Sequence, residues 1–283
     1  MFEEDARENM RVCLAMLSEH CTQCGDFHLS VAVRRTTEMP AGADYDGSTF
    51  VEVVAEALRR RLAAGGAMSV LIAGAADTKI LKMLLDAAVA IGGEELAREL
   101  SVTVLDLCET PLEMCRVFAR RHRLNISTVR SDIGSLTPEG HYGLVLMHGV
   151  LPFFPVDQRL SYMRRIVGWL DSDGYVVSST QIGERSVVAE EREQTDGRMA
   201  ALDTFLANNA EGLTVDRDDL SNRLGQALVT RRSHPQLFAD LADMDAFYAA
   251  AGLALAERRV IEVASAKRAA RYSQRTVVMG QRA

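Results

Sequence analysis

A carboxylate at the end of an apolar run is the first group in this 283-residue chain with a chemistry to offer. Asp106 closes the run "SVTVLD", where a strand is expected to end, and a carboxylate there can accept both hydroxyls of a ribose. Downstream, Thr110, Pro111 and Glu113 read as a capping box with proline at the first helical position. A helix is therefore predicted to begin at 111 and to hold Asp106 on a tight loop; a solvated strand-end aspartate is the alternative. The stretch "SVLIAGAADTKILKMLLDAA", Ser69 to Ala88, reads as strand, small-residue turn and helix. Gly74, flanked by Ala73, Ala75 and Ala76, lets a ligand approach the backbone at a helix start, although a G-x-G-x-x-G dinucleotide fingerprint is absent.

His148 follows the apolar run "GLVLM", and since histidine as a residue type can take up a proton near neutral pH, it is the candidate general base. The competing reading is a histidine that hydrogen-bonds locally and shapes its loop. In "CTQCGDFH", Cys21, Cys24 and His28 have metal-ligand types at a usable spacing. A closed zinc site needs four ligands and no second pair follows, so a turn with two semi-buried thiols is the simpler expectation and no metal is assigned. His20 and His234 receive no role.

Several elements must position these groups. Short apolar runs, "SVLIAG", "SVTVLDL", "ISTVRSD", "YGLVLMHG" and "GYVVSSTQ", alternate with helix-like segments near 78–98, 111–123 and 156–170. Strands apolar on both faces and separated by amphipathic helices predict a doubly wound α/β core with a mostly parallel sheet. Two consecutive strand candidates at the end, "LALAERRVIEV" and "RTVVMGQR", predict an antiparallel hairpin at the sheet edge. Residues 1–68 read as a helical N-terminal extension. It contains a helix near 3–20, with Met10, Cys13, Leu14 and Leu17 on one face, and a second helix capped by Ser48. Residues 69–283 form the main domain, with a polar helical insertion at about 184–232 that is expected to cap the site. "LPFFP", Leu151 to Pro155, is read as core and helix start rather than as a substrate platform.

Composition narrows the function classes. A net charge of −7 argues against a general polyanion binder, and the short basic clusters lie near acidic residues as solvated helix faces. No apolar run approaches a membrane span, and "MFEEDARENMRVC" lacks the basic start and apolar centre of a secretory signal. Five cysteines, an odd number, favour free thiols. A cytoplasmic protein with a small-molecule substrate is expected, with no nucleic-acid or membrane partner and a homodimer left open.

The order "VLIAGAADT", "VTVLDLCETPLEMCR", "VRSDI", "GLVLMHGVLPFF", "LDSDGYVVSS" resembles the class I S-adenosylmethionine-dependent methyltransferases over about residues 69–183. The terminal hairpin would complete the seven-stranded sheet of that family. The resemblance implies S-adenosyl-L-methionine as cofactor. Ala73, Gly74, Ala75 and Ala76 would lie under its methionine part, Asp106 would bind the ribose, and Leu107 and Cys108 would border the adenine. Asp132 would accept from the adenine amino group, Ile133 would pack on the ring, and Met147, His148 and Gly149 would sit close to the sulfonium. The sequence departs from the family pattern in the sparse glycines of its first loop and in Gly143, where an aspartate often stands. Two other readings remain open at this point: a non-catalytic cofactor-binding or scaffolding subunit with the same fold, and an NAD-dependent oxidoreductase.

Overall fold

The structure is a computed structural model that describes residues 2, 5–17, 25–37, 46–138, 140–183, 200, 202–207, 216–233, 237–262 and 274–283. Its centre is a seven-stranded sheet of β1 (Ser69–Ala73), β2 (Ser101–Asp106), β3 (Ile126–Arg130), β4 (Tyr142–His148), β5 (Leu170–Ile182), β6 (Leu253–Glu262) and β7 (Gln274–Arg282). The strands run in the order β3-β2-β1-β4-β5-β7-β6. β1 to β5 pair in parallel, and β7 runs antiparallel to both β5 and β6. From β1 the chain crosses to β2 and β3 on one side, then returns to place β4 on the other. The carboxyl ends of β1 and β4 therefore flank a topological switch point, where helices diverge and leave a crevice.

The helices are α1 (Ala6–Ala15), α2 (Phe27–Thr37), α3 (Gly47–Ala63), α4 (Lys79–Glu99), α5 (Glu109–His122), α6 (Arg159–Gly168), α7 (Arg217–Ser233) and α8 (Leu241–Ala250). Phe50, Leu58, Leu84 and Leu112 from α3, α4 and α5 pack on one face of the sheet. Met163, Ile166, Met244 and Tyr248 from α6 and α8 pack on the other. Both faces of the central strands are thus dry, which is why β1 and β4 lack polar alternation. A third apolar cluster joins Met10 and Cys13 of α1, Leu29 and Val33 of α2, Leu202 and Phe205 of a helical segment at 202–207, and Leu220 and Leu224 of α7. Met114 of α5 enters the same cluster and anchors it to the main domain. Among the described residues, no helix is long and apolar enough to cross a membrane.

Several expectations need correction. α2 is a further helix between the two expected in residues 1–68. It begins after Gly25 and Asp26, both at positive φ, within the "CTQCGDFH" stretch where a turn was expected. α3 is capped by Asp46 rather than Ser48. α4 is broken at Gly92 and Gly93, the latter at φ 70°, so its last turns run in a new direction. About half of the insertion at 184–232 lies outside the described residues.

The departure at Gly143 has a steric cause. Arg61 of α3 is 2% exposed; its guanidinium bonds the Ala67 carbonyl at 3.1 Å and pairs with Asp171 at 2.9 Å and with Asp173. A Cβ at Gly143 would lie 2.5 Å from that carbonyl and 2.8 Å from the guanidinium. The glycine leaves room for this buried cation beneath β4. Gly143→Ala is expected to lower the unfolding free energy by about 1–3 kcal/mol in urea denaturation. Gly168→Ala, where an added Cβ meets nothing within 4 Å, is the control and should leave stability unchanged or slightly raised.

Candidate active site

The loop after β1 turns at Gly74, whose φ is 87° and whose N–H donates to Leu105 O at 2.8 Å. A Cβ there would lie 2.5 Å from Val150 Cγ2, so both the backbone conformation and the packing require glycine. Asp106 then joins two loops. Its Oδ2 accepts the Ala75 N–H at 2.8 Å and its Oδ1 accepts the Cys108 N–H at 2.7 Å. The expected capping box does not form: α5 starts at Glu109 with Cys108 as its cap. Glu113 turns instead to Arg116 at 2.5 Å and Arg120 at 2.9 Å. Burial opposes its ionisation, but the two guanidiniums prevail and hold its carboxyl below the usual range. Asp106 is fixed by backbone N–H groups, not by a box.

At the end of β3, Asp132 is fixed in a similar way. Gly134 N–H donates to its Oδ1 at 2.7 Å, and the Tyr162 hydroxyl of α6 donates to its Oδ2 at 3.3 Å. Burial, followed by the adjacent Asp132 charge, pushes the Tyr162 hydroxyl above its ordinary pKa, so it remains a donor. Tyr162 also meets Phe154, with ring centroids 4.9 Å apart.

His148 ends β4 with its Nε2 3.3 Å from Oδ2 of Asp46, and the Phe50 ring of α3 stands edge-on to it at 5.1 Å. Asp46 has no exposed surface. Arg275 of β7 donates to its Oδ1 at 2.7 Å, and the Ser179 hydroxyl of β5 bonds its Oδ2. Burial alone would raise the Asp46 pKa. The hydrogen bond and charge of His148, the charge of Arg275 and the Ser179 hydroxyl overcome it and hold the carboxyl well below the usual range. Asp46 was missed at the sequence level, where "ADYDGS" reads as loop.

Gly74, Asp106, Asp132, His148, Phe154 and Tyr162 border one cavity of about 280 Å³ at the carboxyl edge of the sheet. Of the residues expected at the site, Gly74, Ala75, Ala76, Asp106, Leu107, Cys108, Asp132, Ile133 and His148 line it, together with Gly149. Ala73 and Met147 do not line it; both are fully buried in the core behind it. The reading of "LPFFP" also needs correction. Leu151 and Phe154 belong to the core, and Phe153, Phe154 and Pro155 also line the cavity.

Two further wall residues, Phe27 and His28, come from α2, with Phe27 5.0 Å from Phe153 between ring centroids. This cover is tied to the loop after β1. Asn9 of α1 donates to Thr78 at 2.8 Å, and Arg35 of α2 pairs with the buried Asp77 at 2.7 Å. Cys21, Cys24 and His20 lie outside the described residues. Among those described, no group of three or more His, Cys, Asp or Glu is arranged to hold a metal.

No protein-family model matches the sequence, and no curated protein matches it. Solved structures do match the architecture. Magnesium protoporphyrin IX methyltransferase from Synechocystis PCC 6803, with bound S-adenosylmethionine, aligns over 99% of each chain at 13% identity and TM-score 0.52. The fold is that of the class I S-adenosylmethionine-dependent methyltransferases. An O-methyltransferase family protein from Burkholderia thailandensis aligns over 90% of this chain and 60% of its own at 15% identity and TM-score 0.51. The 1,6-didemethyltoxoflavin-N1-methyltransferase of the same organism, bound to 1,6-didemethyltoxoflavin and S-adenosylhomocysteine, aligns over 85% and 84% at 14% identity and TM-score 0.50.

The depressed pKa of Asp46 has a consequence for stability. A carboxyl whose folded pKa lies below its unfolded value of about 3.9 stabilises the fold at higher pH and loses that contribution as pH falls toward the folded value. Urea denaturation of the wild-type chain should show stability falling from about pH 5 downward. Asp46→Asn should be less stable at pH 7 and should lose less on acidification. Parallel pH dependences in the two proteins would contradict this account of Asp46.

Proposed function

We propose that the chain transfers the methyl group of S-adenosyl-L-methionine to a small-molecule acceptor. The observation that carries this reading is the Asp106 carboxylate, fixed at the carboxyl end of β2 beside the glycine turn after β1, at the edge of the one switch point in the parallel sheet. The residues present fit the cofactor. Gly74 keeps the loop against Val150 and leaves the backbone of Ala75 and Ala76 facing the cavity, where the methionine part would lie. The Asp106 carboxylate, held by the Ala75 and Cys108 N–H groups, lies on the cavity wall where ribose hydroxyls would donate to it. Asp132 accepts from the adenine amino group, Ile133 packs on the ring, and Leu107 and Cys108 border it. Ala73 and Met147 act from the core, setting the strand ends rather than touching the ligand.

When bound, S-adenosylmethionine supplies a methyl carbon already activated for displacement. The chain has to align the acceptor, exclude water and take up a proton if the acceptor carries one. His148, at the end of β4 and on the cavity wall, is the proton acceptor in this reading. α1, α2 and the inserted helices serve as the cover, with Phe27 and His28 closing the side of the cavity opposite the sheet. The cavity of about 280 Å³ bounded by the described residues supports a small-molecule acceptor.

Titration calorimetry tests the cofactor assignment. S-adenosylmethionine and S-adenosylhomocysteine should bind and NAD should not. Asp106→Ala should weaken binding by roughly 1.5–3 kcal/mol, the scale of lost hydrogen bonds to a charged group. Equal affinity in a folded Asp106→Ala protein would remove the ribose assignment. Hydrogen exchange tests the cover: S-adenosylhomocysteine should slow exchange in α2 more than in β1 and β4, and equal protection with and without ligand would count against a closing cover.

A further inference from the structure

His148 reaches the cavity with one ring nitrogen turned toward a buried carboxylate. Its Nε2 is buried and faces Oδ2 of Asp46 at 3.3 Å, at a point where Arg275 of β7 and Ser179 of β5 also meet that carboxylate. An ionised carboxylate only accepts hydrogen bonds. With the Arg275 guanidinium 2.7 Å from the other oxygen, a charged, accepting carboxylate is the form this site favours. The nitrogen facing it must then carry a hydrogen. The Phe50 ring, edge-on at 5.1 Å, limits rotation of the imidazole about its bond to the strand.

The wall beside His148 supplies the second half of the argument. Phe27, Val150 and Phe153 stand there, with His28 as the polar neighbour, whereas Asp106 and Asp132 are fixed at the ends of β2 and β3. No Lys or Arg lines the cavity among the described residues. An anionic acceptor beside His148 would meet no Lys or Arg side chain among the described residues, which is unfavourable for a charge set against Phe27, Val150 and Phe153.

We propose that Asp46 is the positioning residue for His148, holding the imidazole with its hydrogen on Nε2 and its lone pair on Nδ1, and that the acceptor is a neutral, largely apolar molecule methylated at an O–H or N–H. The proposal rests on the methyl-transfer reading for the reaction, but not for the state of the imidazole. As the acceptor atom bonds to the methyl carbon, its O–H or N–H bond breaks toward Nδ1. The electron pair of the broken carbon–sulfur bond stays on sulfur. His148 becomes an imidazolium beside ionised Asp46, and its proton later leaves to water. Sequence distance hides this arrangement, because Asp46 precedes α3 and its partners come from three different strands.

The test begins with nitrogen-15 spectroscopy of histidine-labelled full-length protein above pH 8, without cofactor or acceptor. The His148 resonances, assigned by comparison with His148→Gln, should show a protonated Nε2 and a bare Nδ1. A predominant Nδ1–H form in the wild-type chain overturns the proposal, and this result needs no variant at Asp46. In Asp46→Asn, the side-chain amide can donate to Nε2 and should move the hydrogen to Nδ1. Once an acceptor is found, that variant should lose about 100-fold or more in turnover while S-adenosylmethionine affinity in titration stays within about twofold. Wild-type turnover in a folded Asp46→Asn protein overturns the positioning role. A product methylated at an atom that carried no hydrogen, or an anionic acceptor, overturns the acceptor class. Failure of S-adenosylmethionine to bind the wild-type chain defeats the methyl-transfer reading instead and leaves the spectroscopic result standing.

Discussion

The Asp106 carboxylate holds two loops together, and the shape of the cavity depends on that contact. One oxygen takes the Ala75 N–H from the loop after β1 and the other takes the Cys108 N–H at the start of α5. Backbone N–H groups at the carboxyl edge of a parallel sheet need an acceptor, and water or a ligand would otherwise have to provide it. An anionic acceptor fixed from both sides keeps the β1 and β2 loops at a constant separation. The close contact of Gly74 with Val150 sets the third side, since any Cβ at 74 would force the loop away from the strand-four turn. The site is therefore preorganised by the main chain, with few side chains committed to shaping it.

A second buried carboxylate does comparable work on the other half of the edge. Asp46 gathers His148, Ser179 and Arg275 from β4, β5 and β7 at the start of α3, so the N-terminal extension is tied to the sheet by a charge with no access to solvent. Taking such a charge out of water costs several kcal/mol, and only the complete set of partners offsets that cost. The pairs Asn9 with Thr78 and Arg35 with Asp77 extend the same coupling to α1 and α2. Cover, loop and strand ends thus share polar contacts, which gives a route by which filling the cavity would stiffen the cover.

Much of this was legible in the residue pattern, for reasons that can be named. Strands buried on both faces leave runs such as "SVLIA" and "GLVLM" that no surface element would tolerate, and Asp106 and His148 stand at the ends of apolar runs, whereas Asp132 followed from the family resemblance. Asp46 was not legible, because its partners lie 133 and 229 residues away and nothing near it in sequence distinguishes it from a turn aspartate. The box at Thr110 to Glu113 misled because Arg116 and Arg120, within helical reach of Glu113, compete for the same carboxylate. "LPFFP" divided its residues between core and cavity, a choice set by the short helical turn Leu151–Phe153 rather than by composition.

The account turns on what occupies the space between Asp106 and His148, and a crystal structure of the full chain grown with S-adenosylhomocysteine tests that directly. The ribose hydroxyls should lie within hydrogen-bond distance of Asp106, the adenine between Ile133 and Leu107, and the sulfur toward His148. The ligand bound away from the carboxyl edge of the sheet, or bound there with its ribose turned away from Asp106, would contradict it.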